Sequence, residues 1–161
     1  LGMGLVGSMG MIDNMMLKSY GQGHSPIADR RAPRHLAEEI KDSLGVVTPS
    51  VTTPVSRLSG GNVQRMTFAR AVISNPSVLV ACYPSRGLDV ATVAVVHETL
   101  LRLRNGGAAV LLISEDLPEL VELSDELLVL SGHRAYGPFD ANTADLNEIG
   151  KLMLKGEESH V

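Results

Sequence analysis

Apolar positions follow two rhythms along the chain: irregular up to about residue 57 and strongly periodic after it. Over residues 1–31 there is little period. Residues 12–17 could form a short helix, and Gly21-Gln22-Gly23-His24-Ser25-Pro26 predicts a loop. Pro33 opens a helix whose Leu36, Ala37, Ile40 and Leu44 share one face, and Gly45 closes it. Thr48-Pro49-Ser50-Val51-Thr52-Thr53-Pro54 follows, with X-Pro steps that favour an extended connector. A helix over about 62–74 then stops at Asn75-Pro76, and the continuous apolar run 78–81 predicts a buried parallel strand. A helix over 90–104 turns Val93, Val96, Leu100 and Leu103 inward and stops at Asn105-Gly106-Gly107. Residues 109–113 predict another buried strand, 118–123 a short helix and 127–130 a third strand. Ser131-Gly132 turns into a strand through Ala135 and Tyr136, and a last helix covers roughly 143–154.

This alternation predicts an α/β fold with a parallel sheet and right-handed crossovers. Ligands of such sheets sit at the C-terminal strand ends, here Cys82-Tyr83 and Ser114-Glu115. The 161 residues suffice for one domain or part of one, and there is no internal repeat. With 44% hydrophobic and 20% charged residues the composition is that of a soluble α/β protein. The net charge of −4, the absence of a Lys/Arg cluster and the low aromatic content (no Trp) argue against a nucleic-acid partner. A single cysteine excludes an internal disulfide and fits a reducing cytosol. The Met- and Gly-rich start lacks a basic n-region, and Asp13 and Asn14 interrupt it before a membrane-spanning length is reached. The chain begins in mid-pattern without an initiator Met, so a preceding N-terminal part is expected.

Ser59-Gly60-Gly61 stands where an N-cap and first helical turn belong. Glycines bare the backbone N–H groups to a phosphate, Ser59 adds a hydroxyl, and the helix places its positive end at the anion. The same residues could instead be a capping serine with flexible glycines that bind nothing. The continuation, with Asn62, Gln64, Arg65, Ala69 and Arg70 in fixed order, favours the phosphate. Elsewhere the chemistry is thin. No G-x-x-x-x-G-K-[ST] occurs, so a P-loop is absent. Val6-Gly7-Ser8-Met9-Gly10 misses a nucleophile elbow at its first position, and no strand precedes it. His24, His35, His97, His133 and His160 show no metal-ligand spacing, and no metal site is expected.

Leu58-Ser59-Gly60-Gly61-Asn62-Val63-Gln64-Arg65 with Ala69-Arg70-Ala71 closely resembles the signature motif of ATP-binding-cassette (ABC) domains. Asn62, where many cassettes carry Gln, resembles the importers of simple sugars and nucleosides, as does Pro84-Ser85-Arg86-Gly87-Leu88-Asp89-Val90, similar to the end of a Walker B strand plus D-loop. The likeness continues through Val110–Leu117 and Leu123-Ser124-Asp125-Glu126, and is closest to the second of two tandem cassettes in an import ATPase. It implies a P-loop NTPase-type parallel sheet with flanking helices, lacking the Walker A half, plus part of the helical subdomain. The implied division is 1–57 for helical subdomain and connector, 58–140 for signature helix, Walker B-like strand, D-loop and remaining core, and 141–161 for a C-terminal helix and tail.

The same alignment places the family's Mg²⁺-supporting Asp on Cys82, its general-base Glu on Tyr83 and its switch His on Glu115. A thiol is a soft ligand for a hard cation. A phenol does not take a proton from water at neutral pH, and Glu115 sets an anion beside an anion. No intact catalytic residue is therefore expected at this strand's own site. More plainly, Cys82 would be a small buried strand-end residue, Tyr83 would cap the core edge, and Glu115 and Asp116 would begin a helix.

Cassettes of this family pair head to tail, so the resemblance implies that Leu58, Ser59, Gly60, Gly61 and Asn62 serve ATP with Mg²⁺ held by a partner cassette. Leu88 and Asp89 of the D-loop would transmit closure between the two sites. The implied partners are that cassette and transmembrane permease subunits, with the chain itself not membrane-spanning but cytoplasmic and peripheral on the inner face of the cell membrane. A non-enzymatic structural or regulatory remnant docking on transporter partners is the alternative. A DNA-repair or translation cassette is disfavoured by Arg86-Gly87-Leu88-Asp89 and the weak basic charge. Without the preceding half, the sheet is expected to present an apolar edge.

Overall fold

The computed structural model describes residues 4–19, 30–73 and 75–155. The loop expected at 21–26, His24, His160 and the expected helix end at residue 74 lie outside these. Four of the elements form a helical half: α1 (Met11–Ser19), α2 (Arg31–Ser43), a single 3₁₀ turn (Val55–Arg57) and α3 (Gly60–Val72). They are followed by β1 (Val78–Cys82), α4 (Val90–Asn105), β2 (Ala109–Ile113), α5 (Leu117–Leu123), β3 (Glu126–Ser131), β4 (Arg134–Asp140) and α6 (Leu146–Leu154).

The first core gathers Met11 and Met15 of α1, Ala37 and Ile40 of α2, Val46, Val51 and Val55 of the connector, and Met66 and Ala69 of α3. α2 buries the face expected from its spacing, with Pro33 buried near its start. The connector is not extended throughout: it turns where Thr53 N–H donates to Ser50 C=O at 3.0 Å, because the apolar Val51 must reach the core. Asn14 lies fully buried beneath the segment before α1. Its Oδ1 accepts the Val6 N–H at 2.8 Å, and its Nδ2 faces the carbonyls of Val6, Met9 and Gly10 at 3.1, 3.2 and 3.0 Å. Asn14→Leu would strand these groups, and a loss of about 2–3 kcal/mol is expected in urea unfolding. A loss below about 0.5 kcal/mol would show the segment satisfied by other means. Gly10 is small for a steric reason, since a Cβ there would lie 2.7 Å from the Thr52 carbonyl carbon.

The second core lies between the sheet and α4. β1 and β2 pair in parallel, from Val78 opposite Ala109 to Cys82 opposite Ile113. Leu79 and Ala81 pack on Val96, Leu100 and Leu103 of α4 and Leu123 of α5. The strands expected to be buried are covered on one face only. Val78, Val80, Leu111 and Ile113 remain 65%, 60%, 57% and 42% exposed. A continuous apolar run states that both faces suit burial, not that both are covered by the residues present.

The third core differs further from expectation. β3 joins no parallel ladder with β2 but pairs antiparallel with β4, with Leu127 opposite Phe139 and Val129 opposite Tyr136 across an irregularity. The cause is the tight turn at Gly132 and His133, both with positive φ (56° and 60°), which matches the twist of a hairpin. Ile149 and Leu152 of α6 cover this hairpin from one side. α6 begins at Leu146, later than expected, because Asp145 caps it by accepting the Asn147 N–H at 2.8 Å.

Candidate site: the turn before α3 and the strand-end cavity

Ser59 is the N-cap of α3, extended at φ −64° and ψ 157°, as its position before two glycines anticipates. Its Oγ accepts the Asn62 side-chain Nδ2–H at 2.9 Å and, at a longer 3.5 Å, the Asn62 backbone N–H. Leu58 is half-buried and packs on the first core, which fixes the entry to the turn. Gly60 and Gly61 have negative φ, and a Cβ at either would meet nothing within 4 Å. Nothing among the described residues therefore requires glycine at these positions.

Side chains of α3 tie this turn to the rest of the fold. Arg65 Nη1 donates to the Gly45 carbonyl at 2.6 Å, while Nη2 pairs with Asp89 Oδ2. Gln64 Nε2 donates to the Pro84 carbonyl at 3.2 Å, at the turn that ends β1. Asp89 in turn caps α4, accepting the Thr92 N–H at 3.0 Å and the Thr92 hydroxyl at 2.9 Å. Leu88 beside it packs on the second core. The Thr92 backbone bond, then the Thr92 hydroxyl, then Arg65 hold the Asp89 carboxyl below its ordinary value. A lowered folded-state value means that the cap contributes fully above the ordinary carboxylate pKa of about 3.9 and is lost as pH falls below it. A carbon-detected NMR titration should give Asp89 a midpoint below about 3.9, rising toward it in Thr92→Val. An unchanged midpoint in that variant would contradict the cap.

A second feature lies at the C-terminal strand ends, where α/β sheets bind ligands. A cavity of about 590 Å³ is lined by Tyr83, Arg86, His97, Glu115, Asp116 and Glu119, among others. Tyr83 has φ +49°, and the Arg86 guanidinium carbon sits 5.7 Å over its ring centroid. Glu119 is buried and hydrogen-bonded to His97 Nε2 at 3.0 Å. Asp116 caps α5 by accepting the Glu119 N–H at 3.1 Å, so it does begin a helix. Glu115 lines the cavity and is exposed. Carboxylates outnumber Arg86 on these walls, an unfavourable setting for a polyphosphate.

Cys82 is exposed and not the buried strand-end residue expected, because the alternation of β1 places it on the uncovered face with Val78 and Val80. None of Leu58 to Asn62 lines the cavity, so the turn before α3 and the strand ends do not share a wall. The ties through Gln64 and Arg65 and the His97–Glu119 pair join residues some twenty positions apart, with no linear signal to reveal them. Among the described residues no three His, Cys, Asp or Glu side chains cluster as a metal centre. No described helix is long and apolar enough to cross a membrane.

No family model matches the chain. It is 34% identical over 163 residues to a ribose import ATP-binding protein of Rubrobacter xylanophilus, covering 99% of this chain and 32% of that protein. It is 34% identical to a xylose import ATP-binding protein of Moorella thermoacetica, covering 96% and 31%. A nucleoside import ATP-binding protein of Lactococcus lactis is 32% identical, covering 95% and 31%. The chain thus spans about a third of the length of the curated relatives it matches. Among solved structures it resembles a dimeric ATP-binding cassette in a post-hydrolysis state bound to ADP and Pi, with a TM-score of 0.69 and 20% identity over 84% of this chain and 59% of that one.

Proposed function

We propose, for a chain whose fold and relatives are those of an ATP-binding cassette of sugar and nucleoside import, that it helps a partner cassette bind ATP while its own strand-end site is inactive. The observation that carries this is the pair Gly60 and Gly61. They occupy the first turn of a helix, where glycine lowers helical stability, yet their conformation and surroundings admit a side chain. A close approach from outside the chain accounts for them.

The residues present fit a terminal phosphate at this turn. The N–H groups of Gly60 and Gly61 belong to the unpaired donors of the helix start, and the Ser59 hydroxyl stands beside them. Bound ATP supplies the anion. Arg65 couples the signature helix to Asp89 of the D-loop, so that engagement of the turn and placement of the D-loop move together. At the chain's own strand ends the fit fails: an exposed thiol, a phenol and a carboxylate stand where Mg²⁺ and a general base would be served. Residues 33–53 belong to the part of the helical subdomain that meets permease subunits on the cytoplasmic face of the membrane.

Binding of a non-hydrolysable ATP analogue, with and without Mg²⁺, tests this on the chain alone and mixed with an intact cassette. Binding strengthened only in the mixture supports a turn donated in trans. Mg²⁺-dependent binding by the chain alone contradicts the inactive site. No gain in the mixture favours a structural remnant.

A further inference from the structure

We infer that Asn62 sets the direction of the Ser59 proton and is the positioning residue of the phosphate-gripping turn; this rests on the function proposed above for that turn. The Asn62 amide has one admissible orientation. The Val47 backbone N–H is a donor and faces Oδ1 at 3.0 Å, which leaves Nδ2 turned toward Ser59. Nδ2 donates to Ser59 Oγ at 2.9 Å, and the Asn62 backbone N–H approaches the same oxygen at 3.5 Å. A serine hydroxyl has two acceptor lone pairs and one proton. Both contacts with Asn62 use Oγ as acceptor, so among the described residues the O–H bond is left for a group from outside, and an anion suits it.

Val47 makes this conditional on the helical half. It follows the turn that closes α2, next to Val46, which is buried in the first core, and two residues after Gly45, whose carbonyl accepts Arg65 Nη1 at 2.6 Å. Asn62 and Arg65, one turn apart on α3, therefore both grip this turn. Withdrawal of the Val47 N–H would free the amide to reverse. Oδ1 would then accept the Ser59 proton, and Ser59 Oγ would turn its lone pairs toward the incoming phosphate. The hydroxyl is a donor to phosphate only while the turn after α2 is seated on α3.

A double-mutant cycle in the assembled pair of cassettes tests this, with a non-hydrolysable ATP analogue as the probe. Asn62→Ala is expected to weaken binding about fivefold, the worth of one neutral hydrogen bond. In a Ser59→Ala background it should have no further effect. Equal losses in both backgrounds overturn the inference, because Asn62 then acts without Ser59. Ser59→Ala with no effect of its own overturns the parent function as well, and so marks which of the two has failed. Asn62→Asp keeps an acceptor for Val47 but has no donor for Ser59, and a carboxylate suits the first turn of a helix. It should melt no lower than the unsubstituted chain yet bind the analogue more weakly than Asn62→Ala. Binding equal to the unsubstituted pair would contradict the proton's assigned direction.

Discussion

Gly61→Ala is expected to stabilise this chain and, at the same time, to lower ATP turnover by the cassette paired with it by about a hundredfold. The stability gain follows from helix propensity, up to about 1 kcal/mol, or a melting point roughly 2–4 °C higher for a chain of this size. No clash opposes it, because a Cβ on Gly61 would meet nothing within 4 Å and its φ is negative. The functional loss follows from the ligand's side. If the turn grips a partner's phosphate as proposed, a methyl group there pushes the anion off the N–H donors, and loss of one such donor typically costs about 10²–10³ in rate. Effects of opposite sign on stability and turnover are the mark of a residue kept for a partner. A loss of both would place the need for glycine inside the chain, and a gain in stability with full turnover would remove the phosphate from the turn.

The second large effect concerns association. Val78, Val80, Leu111 and Ile113 present one apolar face of a two-stranded sheet to solvent. Full burial of a side chain of this kind gains roughly 1.5–3 kcal/mol, and these four are already about half covered. Together they gain about 3–7 kcal/mol, comparable to the lower end of the stability of a small domain, about 5–15 kcal/mol. The chain alone should therefore elute from gel filtration with an apparent mass that rises with concentration. Val80 stands directly opposite Leu111 in the parallel register, so Val80→Lys with Leu111→Glu sets opposite charges side by side on the open face. That double variant should elute as a monomer at concentrations where the unsubstituted chain does not. A clean, cooperatively unfolding monomer without substitution would contradict the importance of this face.

What the sequence made legible was local. The Ser59 cap, the α3 helix, the inward Val96, Leu100 and Leu103 of α4, and the hairpin turn at Ser131-Gly132 all follow from near neighbours. The α/β alternation likewise announced a parallel sheet with flanking helices, while the resemblance to ABC cassettes rested on the Leu58–Arg65 and Pro84–Val90 motifs. Pairing and coverage were not legible. An apolar run is the same whether its strand meets a parallel or an antiparallel neighbour, so β3 was expected in the sheet and is found in a hairpin. The run is also the same whether one face or two are covered, which is why Cys82 was expected to be buried and is exposed. The ties that hold the turn before α3, from Asn62 to Val47 and from Arg65 to Gly45 and Asp89, span fifteen residues or more and leave no periodic trace. They determine what the turn can do, and only the folded chain displays them.

The most direct measurement is steady-state ATP hydrolysis by an intact sugar-import cassette paired with this chain, comparing the unsubstituted chain with Ser59→Ala. Removal of the hydroxyl takes away the donor proposed for the phosphate without disturbing the core, since Ser59 is exposed. Turnover by the pair should fall by at least about tenfold, as for a hydrogen bond to a charged group, while the melting point drops only as far as loss of an N-cap requires. Unchanged turnover with the same small loss of stability would make Ser59 a helix cap and nothing more, and would contradict a signature donated in trans.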